Sequence, residues 1–188
     1  MELAKAKDIA VGVITCAQGA SIIESWVPAG TFEKSGIEIP FQQAHPEEDL
    51  SSLFKWNIAG LLYEQAFLQV VPFSVSAVVW YQGESDTYLQ EAKVYKQELA
   101  VLIDTWRTDL DNRNLPFIII QLADYQSTLN SEGWKLVQQA QLDIQQERDN
   151  VMSVVCADVC ETDNIHPPTK DKLSKRVAAA IESFVLNN

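Results

Sequence analysis

Residues 75–86 read VSAVVWYQGESD, an apolar run that passes directly into polar and acidic residues. Short apolar runs rich in β-branched and aromatic residues are typical of strands buried in a sheet. The stretch therefore predicts a strand over residues 75–81, with the segment QGESD at its carboxyl end. In parallel α/β sheets, binding and catalytic groups lie at the carboxyl ends of the strands.

The same pattern recurs along the chain and alternates with helical periodicity. Three more apolar runs predict strands, and regularly spaced apolar residues predict amphipathic helices. The predicted strands cover residues 9–15, 116–122 and 151–157, the predicted helices cover 89–110, 132–148 and 168–185, and a short helix is expected near 48–56 within an irregular region, 27–57. This alternation predicts an α/β fold in which a parallel sheet carries helices on both faces.

The composition is typical of a globular domain and argues against some classes of binding partner. The chain has 188 residues, of which 47% are hydrophobic, and this suits one domain with its own core. Lys and Arg number 14 and Asp and Glu number 26, so the net charge is 14 − 26 = −12. That acidity argues against a nucleic-acid or anionic membrane partner. The most apolar stretch, residues 66–80, is interrupted by Pro72 and does not predict a membrane span.

The cysteines indicate no framework of disulfides and no metal site. Cys16, Cys156 and Cys160 are an odd number of thiols in apolar or mixed surroundings. Their spacing matches neither a disulfide scaffold nor a zinc motif. The sequence therefore predicts free, buried or partly buried thiols and no bound metal.

The segment DNIHPP, residues 163–168, contains the first candidate for catalysis. It follows the predicted strand over 151–157, and Asp163 precedes His166 by three residues. An aspartate that holds one imidazole nitrogen leaves the other free to take a proton from a nucleophile. The alternative interpretation is a structural histidine beside an Asp that caps a helix or a turn, which is common.

The segment QGESD offers groups suited to a developing negative charge. The Gln82 amide could donate a hydrogen bond to an oxyanion, and Gly83 would let the backbone approach a ligand. Glu84 and Asp86 could instead form a carboxylate pair for glycoside chemistry, although no other feature supports it. An ordinary turn with solvent-facing acids also fits.

Four segments are predicted to meet at one edge of the sheet. Polar groups follow each predicted strand: Gln18 and Gly19, the segment QGESD, Asp124, and the pair Asp163 and His166. Because the carboxyl ends of parallel strands share an edge, these groups are expected to border one site. The backbone N–H of Gly19 is a second candidate oxyanion donor.

Three segments together resemble a known family. VGVITCAQGASIIESW at 11–26, VVWYQGESD at 78–86 and DNIHPP, in this order, resemble the SGNH hydrolases, in the branch of sialate O-acetylesterases and carbohydrate esterases. The resemblance covers nearly the whole chain. It implies a flavodoxin-like three-layer fold and a serine mechanism, without metal or cofactor, that removes acetyl groups from an acetylated carbohydrate.

The resemblance also implies a role for each candidate residue. Asp163 and His166 take the places of the catalytic acid and base, and Gly19 and Gln82 take those of the oxyanion donors. The candidate substrate-binding residues are Gln18, Trp80, Gly83 and Glu84. Many relatives read GGT where this chain has Gly19-Ala20-Ser21, a change that keeps the backbone N–H.

The nucleophile is the part of the pattern that the chain lacks. In the resembling family it is a serine in a first block similar to GQSN, and no such block occurs here. Ser21 and Ser85 are the nearest substitutes, but neither has the expected setting. The resemblance therefore implies a single domain over residues 1–188 that is incomplete at its N-terminus. The missing first strand would lie between residues 9–15 and 75–81 in a sheet of order 2-1-3-4-5.

Three functional interpretations follow. The chain is part of an O-acetylesterase that is inactive alone and marginally stable or self-associating, because loss of a central strand exposes sheet edges. Alternatively, it is a non-catalytic relic that binds acetylated sugar. A metal-dependent hydrolase built on His166, Asp163 and Glu84 is disfavoured, since one histidine and scattered acids suit a transition metal poorly.

Overall fold

The computed structural model describes residues 8, 10–38, 55–126 and 131–185. Most of the helix expected near 48–56 lies outside these residues. The strands are β1 (Val78–Trp80), β2 (Phe117–Ile120) and β3 (Val151–Val154); the helices are α1 (Thr31–Lys34), α2 (Leu61–Gln65), α3 (Leu89–Asp109), α4 (Ser131–Glu147) and α5 (Asp171–Val185). Short 3₁₀ helices cover Ile23–Trp26, Phe67–Gln69 and Glu84–Asp86. None of the helices in the described ranges is long and apolar enough to cross a membrane.

The three strands form a parallel sheet in the order β1-β2-β3. Val78 pairs with Phe117, and Phe117 pairs in turn with Val151. Parallel strands need crossover connections, and α3 and α4 supply them between successive strands. The predicted parallel α/β sheet is confirmed.

The side chains of β2 alternate between two hydrophobic clusters, one on each face of the sheet. Phe117 and Ile119 belong to the larger cluster, which α3 and α4 cover. Ile118 and Ile120 point to the opposite face and pack in the cluster that includes Leu173 of α5. Because successive side chains of a strand face opposite ways, a fully apolar strand implies helices on both sides. The three-layer fold is therefore confirmed.

The strand predicted over residues 9–15 is wrong for the part that the structure describes. Residues 10–15 have no regular secondary structure, and the side chains of Val13 and Ile14 are 71% and 49% exposed. An apolar run becomes a buried strand only when a neighbouring strand satisfies its backbone groups. Within the described ranges, β1 pairs on one side only, and its Val79 is 44% exposed.

An aromatic cluster packs the segment after residue 20 against β1 and α3. Trp26 contacts Trp80 edge to face at 6.0 Å between ring centroids, and Trp106 of α3 stacks on Phe67 at 4.0 Å. The Trp106 Nε1–H also donates to the Trp26 carbonyl oxygen at 2.8 Å. Buried indoles normally find such a partner for the N–H. The cluster therefore carries the 3₁₀ helix Ile23–Trp26 to the carboxyl end of β1.

The three helices predicted over residues 89–110, 132–148 and 168–185 are confirmed with small changes at their ends. The last helix was expected from residue 168, but α5 begins at Asp171. Thr169 lies outside the helix, and its backbone N–H and hydroxyl both donate to the Glu161 carboxylate. Residues 161–170 are thereby closed into a loop, which we call the histidine loop because it contains His166.

Candidate functional site

Gln82 joins the end of β1 to the segment that follows Gly19. Its Nε2 donates to the Ser21 carbonyl oxygen at 2.8 Å and to the Asp86 carboxylate. Its Oε1 accepts from the Tyr95 hydroxyl at 3.1 Å. Both amide hydrogens are therefore engaged, and the side chain is buried. A role as oxyanion donor would require this amide to exchange the Ser21 carbonyl for the oxyanion.

Asp86 provides a second link between the same two segments. Its Oδ1 accepts the Ile23 backbone N–H at 3.1 Å, while Oδ2 accepts from Gln82. Burial raises the pKa of the Asp86 carboxyl well above its ordinary value, and the nearby Glu24 raises it further. Since Asp86 is fully buried and hydrogen-bonded, it is a structural group, and the alternative of a solvent-facing acid is wrong for this residue.

Gly83 packs against α4 rather than facing an open cleft. Its φ is +139°, and a Cβ placed there would lie 2.9 Å from Val137 Cγ1 and 3.0 Å from Gln141 Nε2. The absence of a side chain is therefore needed for contact between the end of β1 and α4. The substrate role inferred for Gly83 stays a prediction.

Gln141 is a site residue that the sequence did not reveal. Its Nε2 donates to the Gln82 carbonyl oxygen at 2.8 Å, and its Oε1 accepts the Leu122 backbone N–H at 2.8 Å. It thus ties together the carboxyl ends of β1 and β2. Its position in the sequence could have pointed to this role. Gln141 lies one helical turn after Val137, on the buried face of α4, and a buried polar side chain needs hydrogen-bond partners.

Three further carboxylates are buried beside this network. Glu24, Glu91 and Glu98 are each 3% exposed or less, and each has at least one carboxylate oxygen without a hydrogen-bond partner. Burial raises the pKa of Glu24 to about 7, and it also raises the pKa of Glu98. For Glu24 and Glu98 the cause is that the buried, charged form of the carboxyl loses its hydration.

Replacing Glu24 with glutamine is expected to change how stability depends on pH. The folded-state pKa of about 7 lies above the ordinary 4.5, so the stability that Glu24 contributes is present below about pH 4.5 and is lost as the pH rises through about 7. At about pH 8, Glu24→Gln should therefore be more stable on the order of 3 kcal/mol, with little difference near pH 4. Urea unfolding at both pH values measures this.

Glu64→Gln is the matched control for that experiment, since Glu64 is an exposed helical carboxylate. It removes the same charge without relieving a buried group. Equal pH dependence in the Glu24→Gln variant and the unchanged protein would contradict the assignment.

The histidine loop holds both residues of the predicted catalytic pair on the surface. Asp163 and His166 are exposed, and no hydrogen bond joins them among the residues described here. Asn164 Oδ1 instead accepts the His166 backbone N–H at 2.8 Å. The structure thus places the pair in one loop without bringing the two side chains into contact, and their catalytic roles stay predictions.

The histidine loop nevertheless lies against the end of β1. Lys170 Nζ donates to the Tyr81 hydroxyl at 3.3 Å and lies 4.9 Å from the centre of that ring. Burial raises the pKa of the nearby Glu84 carboxyl. The Lys170 contact therefore places the end of the histidine loop, which follows DNIHPP, against Tyr81, which directly precedes QGESD.

The remaining predicted site residues lie in different surroundings. Gln18 and Gly19 are exposed, and no heavy atom lies within 4 Å of the position that a Cβ on Gly19 would take. Trp80 is 5% exposed and belongs to the aromatic cluster, so its placement gives no support to substrate contact. Asp124 accepts from Gln138 Nε2 at 3.0 Å near the end of β2.

The two serines nearest the predicted site differ in their freedom to react. Ser21 is 3% exposed, and its hydroxyl oxygen accepts the Trp26 Nε1–H at 2.9 Å. Ser85 is partly buried within the 3₁₀ helix Glu84–Asp86. Ser21 is therefore held in a structural hydrogen bond. Among the described residues, no group of three or more His, Cys, Asp or Glu side chains could hold a metal ion.

Comparisons with known proteins agree with this fold. A carbohydrate acetylesterase of Xanthomonas citri superimposes with a TM-score of 0.83 at 25% identity, over 100% of this chain and 40% of that chain. A protein of Arabidopsis thaliana superimposes with a TM-score of 0.53 at 27% identity, over 67% of this chain and 52% of that one.

The sequence comparisons lead in the same direction. The human sialate O-acetylesterase is 23% identical over 184 residues, covering 89% of this chain and 34% of the human protein. A probable carbohydrate esterase of Arabidopsis thaliana is 30% identical over 140 residues, or 69% of this chain and 50% of that protein. The chain thus spans between a third and a half of these relatives.

A family model matches almost the whole length of the chain. The family model for carbohydrate esterases described as sialic acid-specific acetylesterases matches residues 1–183. This agrees with the resemblance carried by the three motifs at 11–26, 78–86 and 163–168, which is confirmed. The chain belongs to the family of sialic acid-specific acetylesterases among the carbohydrate esterases.

Proposed function

We propose that the chain forms part of a carbohydrate O-acetylesterase and supplies the proton-transfer side of its site. The observation that carries the proposal is the approach of the histidine loop to the end of β1, where Lys170 Nζ donates to the Tyr81 hydroxyl at 3.3 Å. Family membership makes an acetyl ester on a sugar the substrate that best fits this arrangement.

The proposed chemistry assigns one task to each group. The His166 imidazole takes the proton of a serine hydroxyl as the serine attacks the acetyl carbonyl, and then gives it to the departing sugar oxygen. Asp163 orients that imidazole after a rotation that brings the two side chains together. The Gly19 N–H and the Gln82 amide donate to the oxyanion, once the amide has released the Ser21 carbonyl.

The nucleophile is proposed to lie outside these 188 residues. No GQSN-like block occurs in the sequence, and the Ser21 hydroxyl is buried in a bond with the Trp26 indole. The single domain is therefore proposed to be incomplete at its N-terminus. Its exposed Val13 and Val79 side chains favour association with a second copy when the chain is isolated.

The isolated chain is expected to hydrolyse p-nitrophenyl acetate no faster than buffer with an equal concentration of free imidazole. The reason is that a base without a nucleophile cannot form an acyl-enzyme. Release of p-nitrophenolate, followed by absorbance, measures this.

Variants of the two resident serines make that assay decisive. Rapid turnover that disappears in Ser21→Ala or Ser85→Ala would show that a serine of this chain is the nucleophile. Turnover that persists in both variants and disappears in His166→Ala would instead point to direct attack by the imidazole. Either result would overturn the proposed site of the nucleophile.

A further inference from the structure

We propose that Cys156 and Cys160, in the turn that follows β3, form a reversible intramolecular disulfide. Both are free thiols in this structure, and their Sγ atoms lie 2.7 Å apart. This is closer than two sulfurs in ordinary contact and approaches the bonded distance of about 2.05 Å. The inference concerns a redox site and does not rest on the proposed esterase function.

The backbone, and not only the side chains, brings the two thiols together. The Val159 N–H donates to the Cys156 carbonyl oxygen at 3.0 Å, which closes a turn over residues 156–159. Such a turn holds the Cα atoms at its two ends within about 7 Å. Cys160 follows the turn directly, so the chain reversal carries its thiol back towards Cys156.

Helix α5 holds this turn in place. Arg176 binds the Asp158 carboxylate through two contacts, at 2.5 and 2.7 Å, and its Nη1 also donates to the Val155 carbonyl oxygen at 2.9 Å. A paired contact of this kind fixes orientation as well as distance. The cysteine pair is thus positioned by the fold, since residues 155 and 158 flank Cys156 on either side.

The surroundings assign a different role to each thiol. Cys160 is half-buried, whereas Cys156 is fully buried and lies 3.8 Å from the Tyr81 hydroxyl. Burial raises the pKa of Cys156 to about 12, so its thiolate is scarce at neutral pH. Cys160 is therefore the thiol that reacts first with an external oxidant, and Cys156 is the thiol that resolves the product.

The oxidant required is a small-molecule disulfide such as oxidised glutathione. The Cys160 thiolate attacks one of its sulfurs, which forms a mixed disulfide and releases one glutathione thiolate that takes up the proton lost by Cys160. The Cys156 sulfur, as its proton leaves, then attacks Cys160 Sγ and expels the second glutathione thiol. The two cysteines lose two electrons and two protons, and the oxidant gains both.

This pair changes the interpretation reached from the sequence. Spacing alone indicated free thiols with no close partner, and the thiols are indeed free. The closeness of Cys156 and Cys160 arises from the turn, which the sequence of this segment did not reveal. The oxidised pair would also constrain the chain directly before the histidine loop.

The test uses the chain with Cys16→Ser, which leaves only the two thiols in question. The folded protein is incubated with oxidised glutathione, blocked with N-ethylmaleimide and digested with endoproteinase Asp-N. That enzyme cuts before Asp158, between the two cysteines, so residues 149–157 and 158–162 are separate peptides unless a disulfide joins them. We expect the joined pair in the mass spectrum and its separation by dithiothreitol.

The same reaction in concentrated urea shows whether the fold positions the pair. We expect the equilibrium constant for oxidation by glutathione to be at least about tenfold larger in the folded chain, equivalent to about 30 mV. The Cys160→Ser variant should give no joined peptides. Separate peptides that carry only glutathione or N-ethylmaleimide, or equal constants in both conditions, would overturn the proposal.

Discussion

Replacing Gly133 with alanine is expected to lower the free energy of unfolding by about 3 kcal/mol, because the added methyl group has no space. A Cβ at this position would lie 1.9 Å from the Thr87 carbonyl oxygen and 2.8 Å from its carbonyl carbon. Backbone atoms cannot rotate away as a side chain can, so α4 must shift from the segment that follows QGESD. The better helix propensity of alanine, up to about 1 kcal/mol, offsets only part of this cost.

Urea unfolding followed by tryptophan fluorescence measures this effect, since Trp26, Trp80 and Trp106 lie in one cluster. Gly19→Ala is the matched control. No heavy atom lies within 4 Å of the position that a Cβ on Gly19 would take, and the φ angle of Gly19 is not positive. An alanine therefore fits there without strain. A midpoint for Gly133→Ala equal to that of the control would show that α4 does not pack as closely as described.

Under the proposed function, His166→Ala is expected to lower kcat by about 10²- to 10⁴-fold in an active acetylesterase that contains this chain. Without the imidazole, no group at the end of the sheet takes the serine proton as attack proceeds. Because His166 is exposed and its loop is closed by Glu161 and Thr169, the substitution should leave the unfolding midpoint unchanged. Steady-state hydrolysis of an acetylated sugar, with a thermal unfolding curve, separates the two effects.

His45→Ala provides the corresponding control, as His45 is the other histidine of the chain. Full activity for that variant and a large loss for His166→Ala would support the assigned base. If His166→Ala kept the parental kcat, proton transfer would belong to another residue. An inactive variant with a lowered midpoint would indicate damage to the fold instead.

Much of the architecture could be predicted from local pattern. The apolar runs around β1, β2 and β3 and the periodicity of α3, α4 and α5 survive in the structure because each run has its neighbours within the same chain. Residues 9–15 have the same β-branched composition, yet the described part of that run forms no strand. A strand depends on a partner elsewhere, and composition does not state whether the partner is present.

The contacts of the candidate site were not predictable from its motifs. The motifs predicted that QGESD and DNIHPP meet at one edge of the sheet, and in the structure Lys170, which follows DNIHPP, contacts Tyr81, which precedes QGESD. They did not indicate that the Gln82 amide binds the Ser21 carbonyl, 61 residues away, or that Gly83 faces α4. Hydrogen-bond direction is decided by what else is buried nearby, and a short motif contains no information on that.

By itself, then, the sequence determined the α/β class and the family, because these follow from hydrophobic periodicity and from short segments read in order. Only the tertiary structure decided which polar groups are free. It engaged the Gln82 amide and the Ser21 hydroxyl, separated Asp163 from His166, and brought Cys156 to Cys160. A buried polar group is stabilised by a hydrogen-bond partner within reach, and packing between distant segments sets which partner that is.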